Sequence, residues 1–468
     1  CRFYRYLCGN NAKREKMRKN NRIFIGRALA ILALFSGFSA CTAQKDEEAV
    51  IPEGYTKESA AGNMFWEQSD VLDENGQVVA NADLAIYNYC PSIFQEDENT
   101  RYAYYCSNRE TRGKGAGDVY VDSLGNDRVT DYIAMRKGVK IKDEWFWSPK
   151  KYVLSPLKRQ NVSESDTEGQ QVCDPNVIKG EFTYDGESFG YLMAYLACNT
   201  RNNEYNHVCF AVAKTAEGPW KRCDKINPLL KYTSDNVPAE LQSTYQWGYG
   251  QASMISVDKK GRILMFYSTI APICDGNNRW RHATVTSVAG YDFSDLNQIT
   301  REFFVQQMNC GGILRLGANS KTSAPTAVPT VTNGDYAYDP VGGYIYGITD
   351  GEYNERFAMS AAPIFRIKNQ SKSGTAEIGS VFKDYEASTW REEKISWETV
   401  GQISCKVGET YKGVHNTCVV RDGYGYLTAS DRLEVVVTES DVNKKYVSSG
   451  KKEDPLWTYR LKRVTIKI

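Results

Sequence analysis

A short strand-opening phrase returns five times along the chain, about every eighty residues. In order, the phrases are Tyr89-Cys90-Pro91-Ser92-Ile93, Cys173-Asp174-Pro175-Asn176-Val177-Ile178, Gly250-Gln251-Ala252-Ser253-Met254-Ile255, Asn333-Gly334-Asp335-Tyr336-Ala337-Tyr338 and Val414-His415-Asn416-Thr417-Cys418-Val419. Turns such as Asp185-Gly186, Asp258-Lys259-Lys260-Gly261 and Asp422-Gly423 precede second apolar runs at 191–197, 263–267 and 424–428. Short runs rich in aromatic and β-branched residues, punctuated by Asp and Gly, are strand signals, and no long stretch carries a helix-period apolar stripe. A fixed period of β-rich units predicts an all-β, five-bladed β-propeller, closed on itself, with the first strand of each blade lining one axial funnel. Pro91, Pro175, Ala252, Tyr336 and Asn416 are the expected equivalent positions on those strands. The segment 457–468, alternating through Tyr459, Leu461, Val464 and Ile466, reads as a final strand that closes the ring and removes its exposed edges.

The N-terminal segment reads differently. Residue 1 is Cys, and 1–16 are expected to be a non-native upstream extension. From Met17 a basic stretch, a mostly apolar run from Ile23 to Phe38 and the small residues Ser39-Ala40 make 17–40 a signal peptide. Arg27 interrupts the run, which leaves it short for a membrane span. Phe38-Ser39-Ala40-Cys41 resembles a bacterial lipobox, which implies acylation of Cys41, followed by a tether over 41–62 with the acidic stretch Lys45-Asp46-Glu47-Glu48. The expected location is the outer membrane or cell surface, held through a lipid anchor; a cleaved periplasmic or secreted protein is the alternative. Residues 63–468 are assigned to the propeller, with 159–171 and 320–332 as loops between repeats.

Once 1–40 are set aside, 49 basic and 56 acidic side chains remain, a net charge of −7. That balance gives no electrostatic case for nucleic-acid binding. Three His in the whole chain argue against a multi-histidine catalytic zinc site. Ten Cys remain beyond Cys1, Cys8 and Cys41, an even number that permits disulfides in an exported protein, although Cys106, Cys209 and Cys418 lie in apolar strand patterns that suit buried thiols. Their spacings fit no zinc motif. With 31 Tyr, 17 Phe and 9 Trp, the aromatic content suits both sheet packing and sugar stacking.

Asp174-Pro175-Asn176-Val177-Ile178 with Phe182, then Tyr191-Leu192-Met193-Ala194-Tyr195, then Glu217-Gly218-Pro219-Trp220, resembles a blade of the five-bladed propeller glycosidases around glycoside hydrolase family 43. The resemblance extends over all five repeats. It implies hydrolysis of glycosidic bonds in oligo- or polysaccharides by acids on the first strands of successive blades. Inversion needs one carboxylic acid to protonate the leaving oxygen and one carboxylate to activate water, and a third carboxylate can raise the acid's pKa.

Asp174 and Asp335 are the candidate base or electrostatic partner, with Asp335 alternatively a strand-edge turn residue. Glu181 and Glu204 are candidate acids, with a solvated surface charge as the alternative for each. The first repeat carries Cys90 before Pro91 where the family pattern leads with Asp, and the third carries Gln251 where a Glu-Gly-Pro motif stands. Those two departures motivate the alternative of a non-catalytic glycan-binding lipoprotein; a protein-interaction scaffold is a third reading. Trp247, Tyr249, Gln251, Tyr89 and Asn88 are the candidate substrate-binding residues, although Trp247 and Tyr249 also suit blade packing. The resemblance implies a structural Ca²⁺ near His415, or an acid role for it; a hydrogen-bonded core imidazole is equally open. No cofactor is required, and a monomer is expected.

Overall fold

Strands packed on both faces dominate the molecule, which explains why their sequences read as continuous apolar runs rather than alternating ones. In Glu187–Cys198, every side chain from Tyr191 onward is buried, and all seven residues of His207–Ala213 are buried. The structure is a computed structural model that describes residues 50–60, 62–64, 71–72, 78–79, 86–107, 119–121, 127–129, 131–157, 168–169, 171–198, 206–233, 248–274, 280–305, 333–349, 361–386, 395, 397–404, 406–407, 410–411, 413–440 and 458–468. One compact unit spans Ala49–Ile468. Among the described residues the only α-helix is Ser380–Lys383.

The arrangement is all-β and propeller-like, with four blades rather than the expected five. Three are separate four-stranded antiparallel sheets that begin at Gln171–Tyr184, Ala252–Ser256 and Asp335–Asp339. The fourth is a ten-stranded sheet in which the strands of the first and fifth repeats are joined. Thr458–Lys467 makes that join: it pairs antiparallel with Arg432–Ser440 along one edge. On the other edge it runs parallel to Ile86–Asp97, with Thr458 opposite Ile86 and Tyr459 opposite Tyr87. The closing strand read from the sequence therefore does more than close the ring; it fuses two repeats into one sheet.

The five inner strands still form a cycle. Ile86–Asp97 packs on Gln171–Tyr184, that strand on Ala252–Ser256, that on Asp335–Asp339, that on Gly413–Val419, and the last returns to the first. A belt of side-chain-to-backbone hydrogen bonds runs around this cycle. Ser92 Oγ accepts the Val177 N–H at 3.2 Å, Asn176 Oδ1 accepts Met254 N–H at 3.0 Å, Ser253 Oγ accepts Tyr336 N–H at 2.9 Å, and Asp335 Oδ2 accepts Val419 N–H at 2.9 Å. Ile93 N–H, bonded to the Cys418 thiol, completes it. Each donor belongs to the strand after its acceptor, so backbone N–H groups facing the preceding repeat, where no ladder partner exists, are satisfied by side chains.

The belt fixes how the repeats align. Pro91, Pro175 and Ala252 are equivalent, as expected from the sequence, but their counterparts in the fourth and fifth repeats are Gly334 and Thr417 rather than Tyr336 and Asn416. The repeats also differ locally. Three inner strands carry a bulge just before the belt residue, shifting register between Tyr89 and Ser92, Cys173 and Asn176, and His415 and Cys418. Periodicity alone does not reveal an inserted residue.

Between blades the core is aromatic: Phe266 and Tyr336 stack with centroids 3.9 Å apart at 11°, and Phe210 lies 5.2 Å from Phe293. Each fully buried ring of this kind contributes about 1.5–3 kcal/mol of transfer free energy.

Candidate functional site at the axial rim

Two residues before each belt position lies a second quasi-symmetric set: Cys90, Asp174, Gln251, Asn333 and Asn416. Four of them hold left-handed backbone, with φ of 47° at Cys90, 49° at Asp174, 49° at Asn333 and 36° at Asn416. Asn and Asp tolerate that region through local hydrogen bonding, whereas for Cys it is strained. Cys90, Asp174 and Asn416 sit at the bulges of their strands, and left-handed backbone repeated at equivalent positions makes this rim a candidate site.

Asp174 is the one carboxylate in this set. It is 6% exposed, and its Oδ1 lies 3.5 Å from the Cys106 thiol while its own N–H donates to that sulfur at 2.8 Å. A second buried carboxylate, Asp131, acts on the same Cys173 thiol as Asp174. Asp131 leads into the strand Tyr132–Ile141, and its carbonyl accepts the Val172 N–H at 3.3 Å. Its Oδ2 accepts the Tyr89 hydroxyl at 2.7 Å, and it is 3% exposed. The Cys173 thiol feels both acids: its hydrogen bond to Cys106, its burial and the Asp174 and Asp131 charges all push it well above the usual range. The sequence gives no sign of Asp131, which belongs to none of the repeated phrases and reaches the rim from the start of an outer strand.

Tyr89 and Asn88 are also brought here. Tyr89 is mostly buried against Tyr459, centroids 5.9 Å apart, so its hydroxyl rather than its ring face is what it presents to Asp131. Asn88 Oδ1 accepts Ser107 Oγ–H at 3.0 Å, and Lys150 Nζ donates to the same Ser107 oxygen at 3.1 Å. Across the ring, Gln251 Oε1 accepts Asn416 Nδ2–H at 3.3 Å. The other amide atoms of this pair, Gln251 Nε2 and Asn416 Oδ1, are buried without a hydrogen-bond partner among the described residues, as is Asn206 Oδ1 nearby. Tyr249 is partly buried on the core, 6.1 Å from Tyr267, and its N–H donates to the Asn206 carbonyl at 3.1 Å. Gly248, at φ +88°, precedes it where an added Cβ would stand 2.5 Å from that carbonyl oxygen, so only glycine fits.

Asp335 and Glu181 lie elsewhere. Asp335 is a belt residue, not a rim residue; its equivalents are Ser92, Asn176, Ser253 and Cys418. Its Oδ1 accepts from Ser253 Oγ at 2.5 Å and Asn176 Nδ2 at 3.3 Å, and Arg421 Nη1 pairs with it at 3.2 Å. At 1% exposure, with both oxygens engaged, it is a structural carboxylate. Glu181 stands seven residues along the strand from Asp174, about 23 Å at strand rise. It has a 70% exposed side chain and pairs with Lys260 at 3.7 Å; it reads as a surface charge. His415 lies on the inner strand Gly413–Val419, opposite Thr438. Trp247, Glu204 and Cys41 lie outside the described residues.

No family model and no curated protein matches this chain. Among solved structures it is similar to a family 117 glycoside hydrolase of the marine bacterium Zobellia galactanivorans, at 12% identity over 88% of this chain and 89% of that one, TM-score 0.44. It is similar to an α-L-arabinofuranosidase of Podospora anserina in complex with cellotriose, at 8% identity over 88% and 96% of the two chains, TM-score 0.40. A xylan β-1,4-xylosidase of Bacillus halodurans C-125 aligns at 13% identity over 83% of this chain and 54% of that one, TM-score 0.39. At these scores the likeness carries no statement about activity, which has to be argued from the rim itself.

Proposed function

We propose that the protein hydrolyses glycosidic bonds in an oligo- or polysaccharide at the axial rim, with Asp174 and Asp131 as the acid–base pair. The observation that carries this reading is that two buried carboxylates from neighbouring repeats, Asp174 and Asp131, both act on the Cys173 thiol, and that Asp131 accepts the Tyr89 hydroxyl. One carboxyl group protonates the leaving oxygen while the other activates water, and the amides of Gln251, Asn416 and Asn206 supply the donors and acceptors that a sugar's hydroxyls require. Trp247 and Tyr249 are the stacking residues expected from the sequence. In the same proposal the chain is an exported monomer, acylated at Cys41 and tethered through 41–62 to the outer face of the cell. No cofactor is needed for this chemistry, and a calcium ion near His415 would serve structure only.

The competing reading is a glycan-binding protein without turnover. One observation favours it: Cys90, Gln251, Asn333 and Asn416 leave Asp174 as the only acid among the five rim positions. A panel of polysaccharides separates the two. With a cleaved substrate in hand, Asp174→Asn and Asp131→Asn, which keep shape and remove charge, should each lower kcat by at least about a hundredfold while the fold is retained. Wild-type protein that binds a glycan of the panel but cleaves none establishes the binding reading, and two Asn variants as active as wild type remove these residues from the mechanism.

A further inference from the structure

Cys90 and Asp174, equivalent rim residues of neighbouring repeats, converge on Cys106 from the strand Thr100–Ser107. Cys90 Sγ, Cys106 Sγ and a carboxylate oxygen of Asp174 all lie within 4.8 Å of one another. The two thiols are 0% exposed and Asp174 is 6% exposed. Isolated buried thiols are ordinary small hydrophobes, but two of them against a carboxylate form a different environment. A thiol is a weak donor to a buried carboxylate, and a cation would offset the cost of burying that charge far better.

We infer that this cluster is a zinc site, with Cys90 Sγ, Cys106 Sγ and one Asp174 oxygen as ligands and a fourth, open position for water. Zinc takes tetrahedral S and O ligands, and bond lengths of about 2.3 Å to sulfur and about 2.1 Å to oxygen put neighbouring S and O ligands about 3.6 Å apart. The Cys106 Sγ to Asp174 Oδ1 distance is 3.5 Å. The outer shell is present as well: the Asp174 N–H already donates to Cys106 Sγ at 2.8 Å, and the Cys173 thiol is hydrogen-bonded to the same sulfur. Such contacts orient a thiolate ligand. Calcium and magnesium, which take oxygen ligands, do not suit the set. Each thiol gives up its proton on binding, and the site then carries two thiolates and one carboxylate against the dication. The inference rests on the cluster's geometry and not on the glycosidase reading, since zinc binding is measured without a sugar. If both hold, zinc takes the Asp174 carboxylate away from acid–base work, and the ion is an inhibitor.

The test uses the mature chain, purified under reducing conditions, stripped with a chelator and titrated with Zn²⁺ against a chromophoric competitor; Co²⁺ in place of Zn²⁺ reports thiolate ligation through near-ultraviolet charge-transfer absorption. One equivalent of tightly held zinc, a thiolate-to-cobalt band, and affinity lowered by at least about tenfold in both Cys106→Ser and Asp174→Asn are expected. Asp174→Asn is nearly isosteric, so it decides the matter should Cys106→Ser fail to fold. Absence of the cobalt band, wild-type affinity in Asp174→Asn, or a Cys90–Cys106 disulfide found by peptide mapping of the exported protein overturns the assignment.

Discussion

Asp335 and Asp174 each open a repeated phrase, yet their partners differ. Asp335 is held by Ser253, Asn176, Val419 and the Arg421 guanidinium. Removing its charge leaves Arg421, itself 2% exposed, as an uncompensated buried cation, a class of change that costs about 3–5 kcal/mol. Asp335→Asn should therefore lower the denaturation midpoint sharply, and a variant as stable as wild type in a denaturant titration would show that the pair contributes nothing net. His207 makes a second residue-scale prediction. Its Nδ1 accepts the Tyr232 N–H at 2.9 Å, and burial, reinforced by Lys231, pushes its pKa down to about 4. The unfolded chain takes up that proton near 6.5, so between the two values the unfolded state holds more protons and stability falls as pH falls. The loss from pH 7 to pH 4 should total about 3 kcal/mol. Glu58 and Asp422, whose carboxyls burial raises, act in the opposite sense. The difference between wild type and His207→Asn, whose amide oxygen keeps the accepted bond, isolates the histidine; parallel pH–stability curves for the two would refute its role.

At the scale of elements, what was legible in the sequence is what depends on period, and what was not depends on insertions and on non-local approach. The five phrases do mark the five inner strands, and in the second and third repeats the turns at Asp185-Gly186 and 258–261 do separate them from their partners, because strand propensity and turn chemistry are local; in the fifth the expected run 424–428 is no strand, and Gly413–Val419 pairs instead with Arg432–Ser440. The bulges are not local in that sense. Pro follows the left-handed residue in the first two repeats and Thr in the fifth, so no residue type announces the extra position, and Asp335 came to be matched with Asp174 two places out of register. Asp131 was invisible for a different reason: it lies 43 residues before Asp174, and its carbonyl reaches the second repeat through the Val172 N–H. Cys90 and Gln251, read from the sequence as departures from an acid pattern, turn out to have positions of their own, one beside Asp174 and the other bonded across the ring to Asn416.

For the whole molecule, the decisive element is Thr458–Lys467, which pairs with Ile86–Asp97 on one side and Arg432–Ser440 on the other. A chain shortened to end before Thr458 should keep the three separate sheets but expose an edge on both the first and fifth repeats. Its unfolding should lose cooperativity, seen as a lower m-value and non-coincident transitions by fluorescence and circular dichroism. A single sharp transition at the wild-type midpoint would mean that the ring holds without its clasp. Because this strand lies some 370 residues beyond its parallel partner, the contact carries a large loop-closure cost and cannot form until 458–468 have been synthesised. The earlier repeats can pair their own hairpins as they emerge, but the circle stays open until that strand is made, and up to then the nascent protein is a string of sheets without a clasp.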